Sequence, residues 1–204
     1  MLFEQSETPT FAQILLAGSV ELLAARRKDE FRTELVHPID LLLPAAVLTR
    51  QPYLLRARVL DEAHLLMIQA EAFRQAVAED HALCLAVLAC QAAQFRRQIK
   101  QLKNVRLRSA EERVGCYLLR LHKGAPPGGS ARLPLNKRQI AAELGITRET
   151  FSRTLGAIAR HGLHIDGDIV AVDDLAAAHA RFRLDPLIDG AEAIQPLATK
   201  GTKE

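Results

Sequence analysis

The residues best equipped for chemistry lie in one short stretch, TRETFSRTLGAIARHG at 147–162. Thr147 is placed to cap a helix and Gly162 to end it. Phe151, Leu155 and Ile158 recur at helical spacing as one apolar stripe, which leaves Glu149, Ser152, Arg153, Gly156 and Arg160 on the opposite side. Arg153 can donate two hydrogen bonds to guanine O6 and N7, Glu149 can accept from cytosine N4, and Ser152 can bond a base edge or admit a thymine methyl. Lys137, Arg138, Thr147 and Arg148 are placed to meet phosphates, which fix register. A glycine inside a helix costs about 1 kcal/mol against alanine, and close approach to DNA is the expected reason for Gly156. The competing account of Glu149 and Arg153 is a plain ion pair at i and i+4, worth a few tenths of a kcal/mol. The chemistry indicated is recognition of double-stranded DNA. The sequence has no nucleophile–base pair, metal-ligand spacing or phosphate-binding loop, and the Gly-rich segment 124–130 lacks a lysine, so an enzyme is not expected.

These side chains need a scaffold, and the flanking sequence spells one. In NKRQIAAELGIT, Asn136 can cap a short helix carrying Ile140, Ala141 and Leu144, with Gly145 ending it just before Thr147. Two helices joined by so short a turn form a helix-turn-helix. Counting Lys137 as first, Ala141 is fifth, where the helices cross closely, Gly145 is ninth, in the turn, and Phe151 is fifteenth, closing the core beneath. LHIDGDIVAV then carries an Asp-Gly pair between two β-prone runs, a hairpin signal.

Upstream, Ser109 with Glu112 three residues on forms a capping-box pattern, opening a helix that runs toward His122. The alanine- and leucine-rich stretch after Ala70 reads as helix. Within it Leu85, Leu88, Ala92, Phe95, Ile99 and Leu102 alternate spacings of three and four, a heptad seam that would pair two copies of the chain. Packing of that helix on its own domain is the alternative. Between residues 11 and 70, short apolar bursts broken at Gly18-Ser19, His37-Pro38 and Gln51-Pro52 indicate a small β-sandwich or roll.

Composition narrows the class. The chain of 204 residues is 49% hydrophobic and 25% charged, a globular balance. Its 4% aromatic content argues against a platform that stacks single-stranded bases. The net charge of +3 is mild, but Arg96, Arg97, Lys100, Lys103, Arg106, Arg108, Arg113, Arg120 and Lys123 crowd one region, opposed there only by Glu111 and Glu112. Cys84, Cys90 and Cys116 form no CxxC and suit a reducing compartment. The N-terminus MLFEQSETPT shows no signal-peptide pattern, and ALCLAVLAC at 82–90 falls far short of the roughly 20 residues that span a bilayer, so a cytoplasmic protein without a membrane partner is expected.

RETFSRTLG, preceded by NKRQIAAELGIT and followed by the DG hairpin, resembles the winged helix-turn-helix of the cyclic-AMP receptor protein and fumarate-nitrate reduction regulator (CRP/FNR) superfamily. LLAGSVELL and DLLLPAAVLTRQPYLLRARVL resemble its sandwich strands and effector segment. The resemblance covers about residues 2–180. It implies an α+β protein with a cyclic-nucleotide-binding-like β-roll over 1–79, short of its usual first strands. A dimerisation helix and hinge over 80–107, a winged helix-turn-helix over 108–186 and a flexible tail over 187–204 would follow. It implies a cytoplasmic homodimeric transcription regulator that works with RNA polymerase and swings its winged domains through a hinge near Asn104–Leu107. A dimeric interaction module without regulated DNA binding is the rival.

Glu149, Ser152 and Arg153 match the E-x-x-S-R pattern of the fumarate-nitrate and denitrification branch, implying TTGAT- or TTGAC-type half-sites in a palindrome; Arg148 also fits the R-E-x-x-x-R pattern of the cyclic-AMP branch, and Ser152, where that branch tends to have glycine, favours the former. Two departures bear on the signal. Pro44 and Leu54-Leu55 stand where the family's glutamate and its arginine with serine or threonine hold a cyclic nucleotide, and apolar side chains cannot compensate a phosphate. No cysteine precedes Cys84, so the branch's N-terminal iron-sulfur cluster is not expected either. An apolar set of Leu41, Leu42, Leu43, Val47, Leu48, Leu54 and Leu55 remains. It reads either as ordinary core or as the lining for an apolar effector such as haem carrying nitric oxide or another gas, with His37 and His64 as candidate iron ligands.

Overall fold

A computed structural model describes residues 1–26, 29–60, 62–125 and 130–190. They form two units, one running from Met1 to Arg96 and the other beginning at Arg97.

The first unit is built from short strands, as the apolar bursts require. Strands β1 (Phe11–Ala17), β2 (Val20–Arg26), β3 (Asp29–Val36) and β4 (Asp40–Leu41) precede helix α1 (Pro44–Thr49). Strands β5 (Arg56–Val59) and β6 (His64–Gln69) then lead into helix α2 (Ala70–Glu79) and the long helix α3 (His81–Leu107), which continues into the second unit. The strands pair as two antiparallel sheets, ordered β4-β1-β6 and β3-β2-β5. Gly18 makes the β1–β2 corner at φ +85°, and a Cβ there would strike the Glu62 carbonyl. The apolar core gathers Leu15, Val20, Leu22, Val36, Leu42 and Ala57, with Phe3 stacked on Tyr53 at 3.8 Å. On β2, Glu21 is buried yet ion-paired to both neighbouring strands, through Arg32 Nη2 at 2.5 Å and Arg58 Nε at 2.6 Å.

Two local readings change here. Helix α1 occupies part of the segment read as strands and corners: its N-cap is Leu43 in the left-handed region with no side-chain cap, so the usual start signal is missing. The helical stretch after Ala70 is broken at Asp80, an extended residue whose Oδ1 accepts from the amides of Ala82 (2.8 Å) and Leu83 (3.1 Å), capping α3 anew.

In the second unit α4 (Ala110–Gly124) opens on the expected capping box: the Ser109 amide donates to Glu112 Oε2 (2.9 Å) and the Glu112 amide to Ser109 Oγ (3.2 Å). Strand β7 (Ala131–Arg132) precedes α5 (Lys137–Glu143), α6 (Arg148–Ile158), a 3₁₀ turn (Ala159–His161), β8 (Leu163–Asp166) and β9 (Ile169–Val172). The three strands form one antiparallel sheet, ordered β7-β9-β8, with Gly167 at the hairpin tip. Leu118, Leu119, Ile140, Phe151, Ile158 and Phe182 make the core. Of the loop at 124–130, residues 126–129 lie outside the described residues.

The chain end departs from expectation. After α7 (Leu175–Arg181), residues Pro186–Asp189 form helix α8 instead of a frayed tail. Asp189, only 10% exposed, pairs with Arg108 through Oδ2 at 2.6 Å and Oδ1 at 2.8 Å. Of the expected tail at 187–204, residues 191–204 lie outside the described residues. The hinge expected near Asn104–Leu107 is continuous helix, and α3 stops only at Arg108–Ser109.

Candidate nucleic-acid interface

Two caps and one glycine set the geometry of the α5–α6 pair. Gln139 N donates to Asn136 Oδ1 (2.9 Å) and Asn136 N to Gln139 Oε1 (3.2 Å), fixing the start of α5. Leu144 and Gly145 leave α5, with Gly145 at φ +64°. A Cβ at Gly145 would meet only Arg113 Nη1 at 3.4 Å and Val105 Cγ2 at 3.5 Å, so the backbone angle, more than crowding, demands glycine. Thr147 Oγ1 accepts from the Thr150 amide at 3.1 Å and starts α6. Ala141 is 1% exposed at the helix crossing, and Phe151 is fully buried beneath.

Two contacts that the sequence reading did not foresee hold the turn from outside. Arg113 on α4 donates to the Leu144 carbonyl (2.8 Å), and Gln101 on α3 donates to the Glu143 carbonyl (2.8 Å). Both satisfy carbonyls at the end of α5 that have no intrahelical partner. Burial lowers the Arg113 pKa. Neither contact leaves a pattern in sequence, because each accepting group is main chain.

With Phe151, Thr154 and Ile158 buried, α6 can present only one face. Arg148, Glu149, Ser152, Arg153, Gly156 and Arg160 are all exposed on it. Lys137 and Arg138 are exposed at the start of α5, and Thr147 at the start of α6. The helix starts therefore carry the cations expected to meet phosphates, beside the three expected base readers. Arg153 is not ion-paired with Glu149; its Nη2 reaches Thr150 Oγ1 at 3.4 Å. The simple i,i+4 ion pair is therefore not what holds these two residues. The amide of Glu149 and the Thr147 hydroxyl hold the Glu149 carboxyl below the usual range, aided by Arg148 and Arg153, so at neutral pH it only accepts hydrogen bonds.

Along α3 the heptad positions stand free of this chain's core. Leu88 (56%), Phe95 (66%) and Leu102 (52%) are exposed, as are Ala92 and Ile99, while Leu85 is half-buried. The helix buries Val87 and Ala93 instead. Gln94 Nε2 donates to Asp40 Oδ1 and to the Leu41 carbonyl, both at 2.7 Å. The helix thus packs on its own domain through one face and leaves the seam on another.

The residues proposed for an effector do not assemble as one lining. Leu42, Leu43 and Leu55 pack in the core between the sheets, Leu41, Val47 and Leu48 in a second cluster with Phe73, and Leu54 is 84% exposed. Pro44 is buried at the start of α1. His37 is exposed, and His64 is exposed beside Glu62, with Nε2 3.7 Å from Oε1. Neither imidazole lies among the buried leucines, so these residues do not fit a haem. Among the described residues no group of His, Cys, Asp or Glu is arranged to hold a metal ion, and no single helix is long and apolar enough to cross a membrane.

Residues 112–177 match the Crp-like helix-turn-helix domain. The nitrogen fixation regulation protein FixK of Azorhizobium caulinodans is 28% identical over 119 residues, 56% of this chain and 48% of that protein. The chain therefore spans about half the length of that curated relative. Over more of the length the fold is shared with FixK2 from Bradyrhizobium japonicum, at TM-score 0.69 and 18% identity, covering 90% of this chain and 93% of that one. A CRP-family transcriptional regulator from Thermus thermophilus gives TM-score 0.64 at 22% identity, covering 96% and 95% of the two chains. Residues 112–177 thus carry a Crp-like helix-turn-helix, and the chain shares the fold of these solved regulators over nine-tenths or more of its length.

Proposed function

We propose that the chain acts in the cytoplasm as a homodimeric transcription regulator that reads a palindrome of TTGAT- or TTGAC-type half-sites. The observation that carries this reading is the single free face of α6, where Glu149, Ser152 and Arg153 stand exposed while Phe151 and Ile158 anchor the other side. Arg153 reads guanine, Glu149 accepts from cytosine, and Ser152 lies against an adjacent base edge or thymine methyl. Lys137, Arg138, Thr147 and Arg148 hold the phosphates at both helix starts. The exposed seam on α3 supports pairing of two copies, and a pair would read two half-sites on successive major grooves. RNA polymerase is the partner expected downstream of binding. A signal at the roll would act through α3, which Asp40 and Leu41 engage directly through Gln94. Cyclic AMP is not part of this reading, because Pro44, Leu54 and Leu55 offer a phosphate nothing.

Gel-shift titration of the full chain on such a palindrome tests it. Arg153→Ala is expected to weaken specific binding by about tenfold to a hundredfold, the worth of one bidentate base contact. Equal affinity of variant and wild type would remove Arg153 from the reading, and no shift with any duplex would leave the interaction module.

A further inference from the structure

Gly156 sits inside α6 without a purpose in the folded chain. A Cβ built on it meets nothing within 4 Å, and its backbone is ordinary right-handed helix. Neither crowding nor conformation therefore requires glycine, although glycine is the poorest helix former after proline. The position is also not free to turn away, because Thr154 and Ile158 on either side of it are buried.

Its neighbours give the gap a chemical setting. Gly156 is seven residues after Glu149, three after Arg153 and four before Arg160, so these four share one exposed line along the helix. Arg160, in the following 3₁₀ turn, donates from Nε to the Ala157 carbonyl at 3.3 Å, keeping its guanidinium stem beside the turn that Gly156 opens. The result is bare backbone between two exposed arginines, on the face already assigned to DNA.

We propose that Gly156 is the seat for one sugar-phosphate strand of the target duplex, with Arg160 as a phosphate contact outside the set at the helix starts. This rests on the DNA-reading function above. The N-terminal residues of a recognition helix meet base edges, and a later turn passes the wall of the groove, where a strand presents ribose and phosphate. Without a side chain at 156 that strand closes on the helix backbone, and Arg160 neutralises its charge.

The test uses the full chain in binding titrations on the palindrome and on an unrelated duplex, with thermal melting alongside. G156A is expected to melt higher than wild type, because alanine favours the helix, and to bind both duplexes more weakly, by about tenfold on the palindrome. R160Q is expected to flatten the slope of log affinity against log salt by about one, with discrimination between the duplexes retained. G156A with a higher melting point and wild-type affinity would overturn the seat, as would G156A that melts lower, which would give the glycine a role within the fold. An unchanged salt slope for R160Q would remove Arg160. Wild-type protein that binds neither duplex would defeat the DNA reading itself, an outcome visible before any variant is compared.

Discussion

Charge placement at single residues decides what this chain tolerates. Burial raises the Glu21 pKa, but the hydrogen bonds and charges of Arg32 and Arg58 outweigh it and leave the group below its ordinary value of 4.5. A folded pKa below the unfolded one means that the stabilisation is complete above about pH 4.5 and is lost as pH falls through the folded value. Urea unfolding of Glu21→Gln should therefore show a large loss near neutral pH, about 3 kcal/mol, because the two arginines lose their buried counter-charge. The gap between variant and wild type should narrow in acid. Nothing in the sequence flagged Glu21: its partners come from β3 and β5, and only sheet register brings them together. By contrast Glu149, Ser152 and Arg153 were legible as an exposed set, since helical spacing alone divides them from Phe151 and Ile158.

Among the elements, those with local signals were read and those held by distant partners were not. The Ser109–Glu112 capping box, the Asn136 cap and the Gly145 turn formed as their residues required, each closed within three or four positions. Helix α8 was missed although Asp185 and Pro186 are an ordinary start, because its last residue is held by Arg108, 81 positions earlier. Helix α1 has no capping side chain to announce it. For α3 the apolar repeat was visible in sequence, and most of it stands uncovered by the described residues. Phe95→Glu is expected to convert a dimer into a monomer in light-scattering measurements while leaving the thermal midpoint of the winged domain close to wild type. A variant that stays dimeric would place the subunit contact elsewhere.

For the molecule as a whole the net charge of +3 understates the electrostatics of binding, because position governs. Lys137, Arg138 and Arg148 in two copies would neutralise six phosphates, giving a slope of log affinity on log salt of about −5 in filter binding. A slope near zero would disconnect these cations from DNA. The division near Arg96 means that one helix is shared by a unit built of sheets and a unit built around the helix-turn-helix. In the second unit, Arg113 and Gln101 grip main-chain carbonyls, those of Leu144 and Gly145 and that of Glu143. A mount made to main-chain oxygens is indifferent to the side chains of the helix it carries. On the proposed reading, target choice is exchangeable: positions 149, 152 and 153 could be rewritten for a different half-site with the mounting left as it is, so new specificities would lie a few substitutions away without repeated cost to the fold.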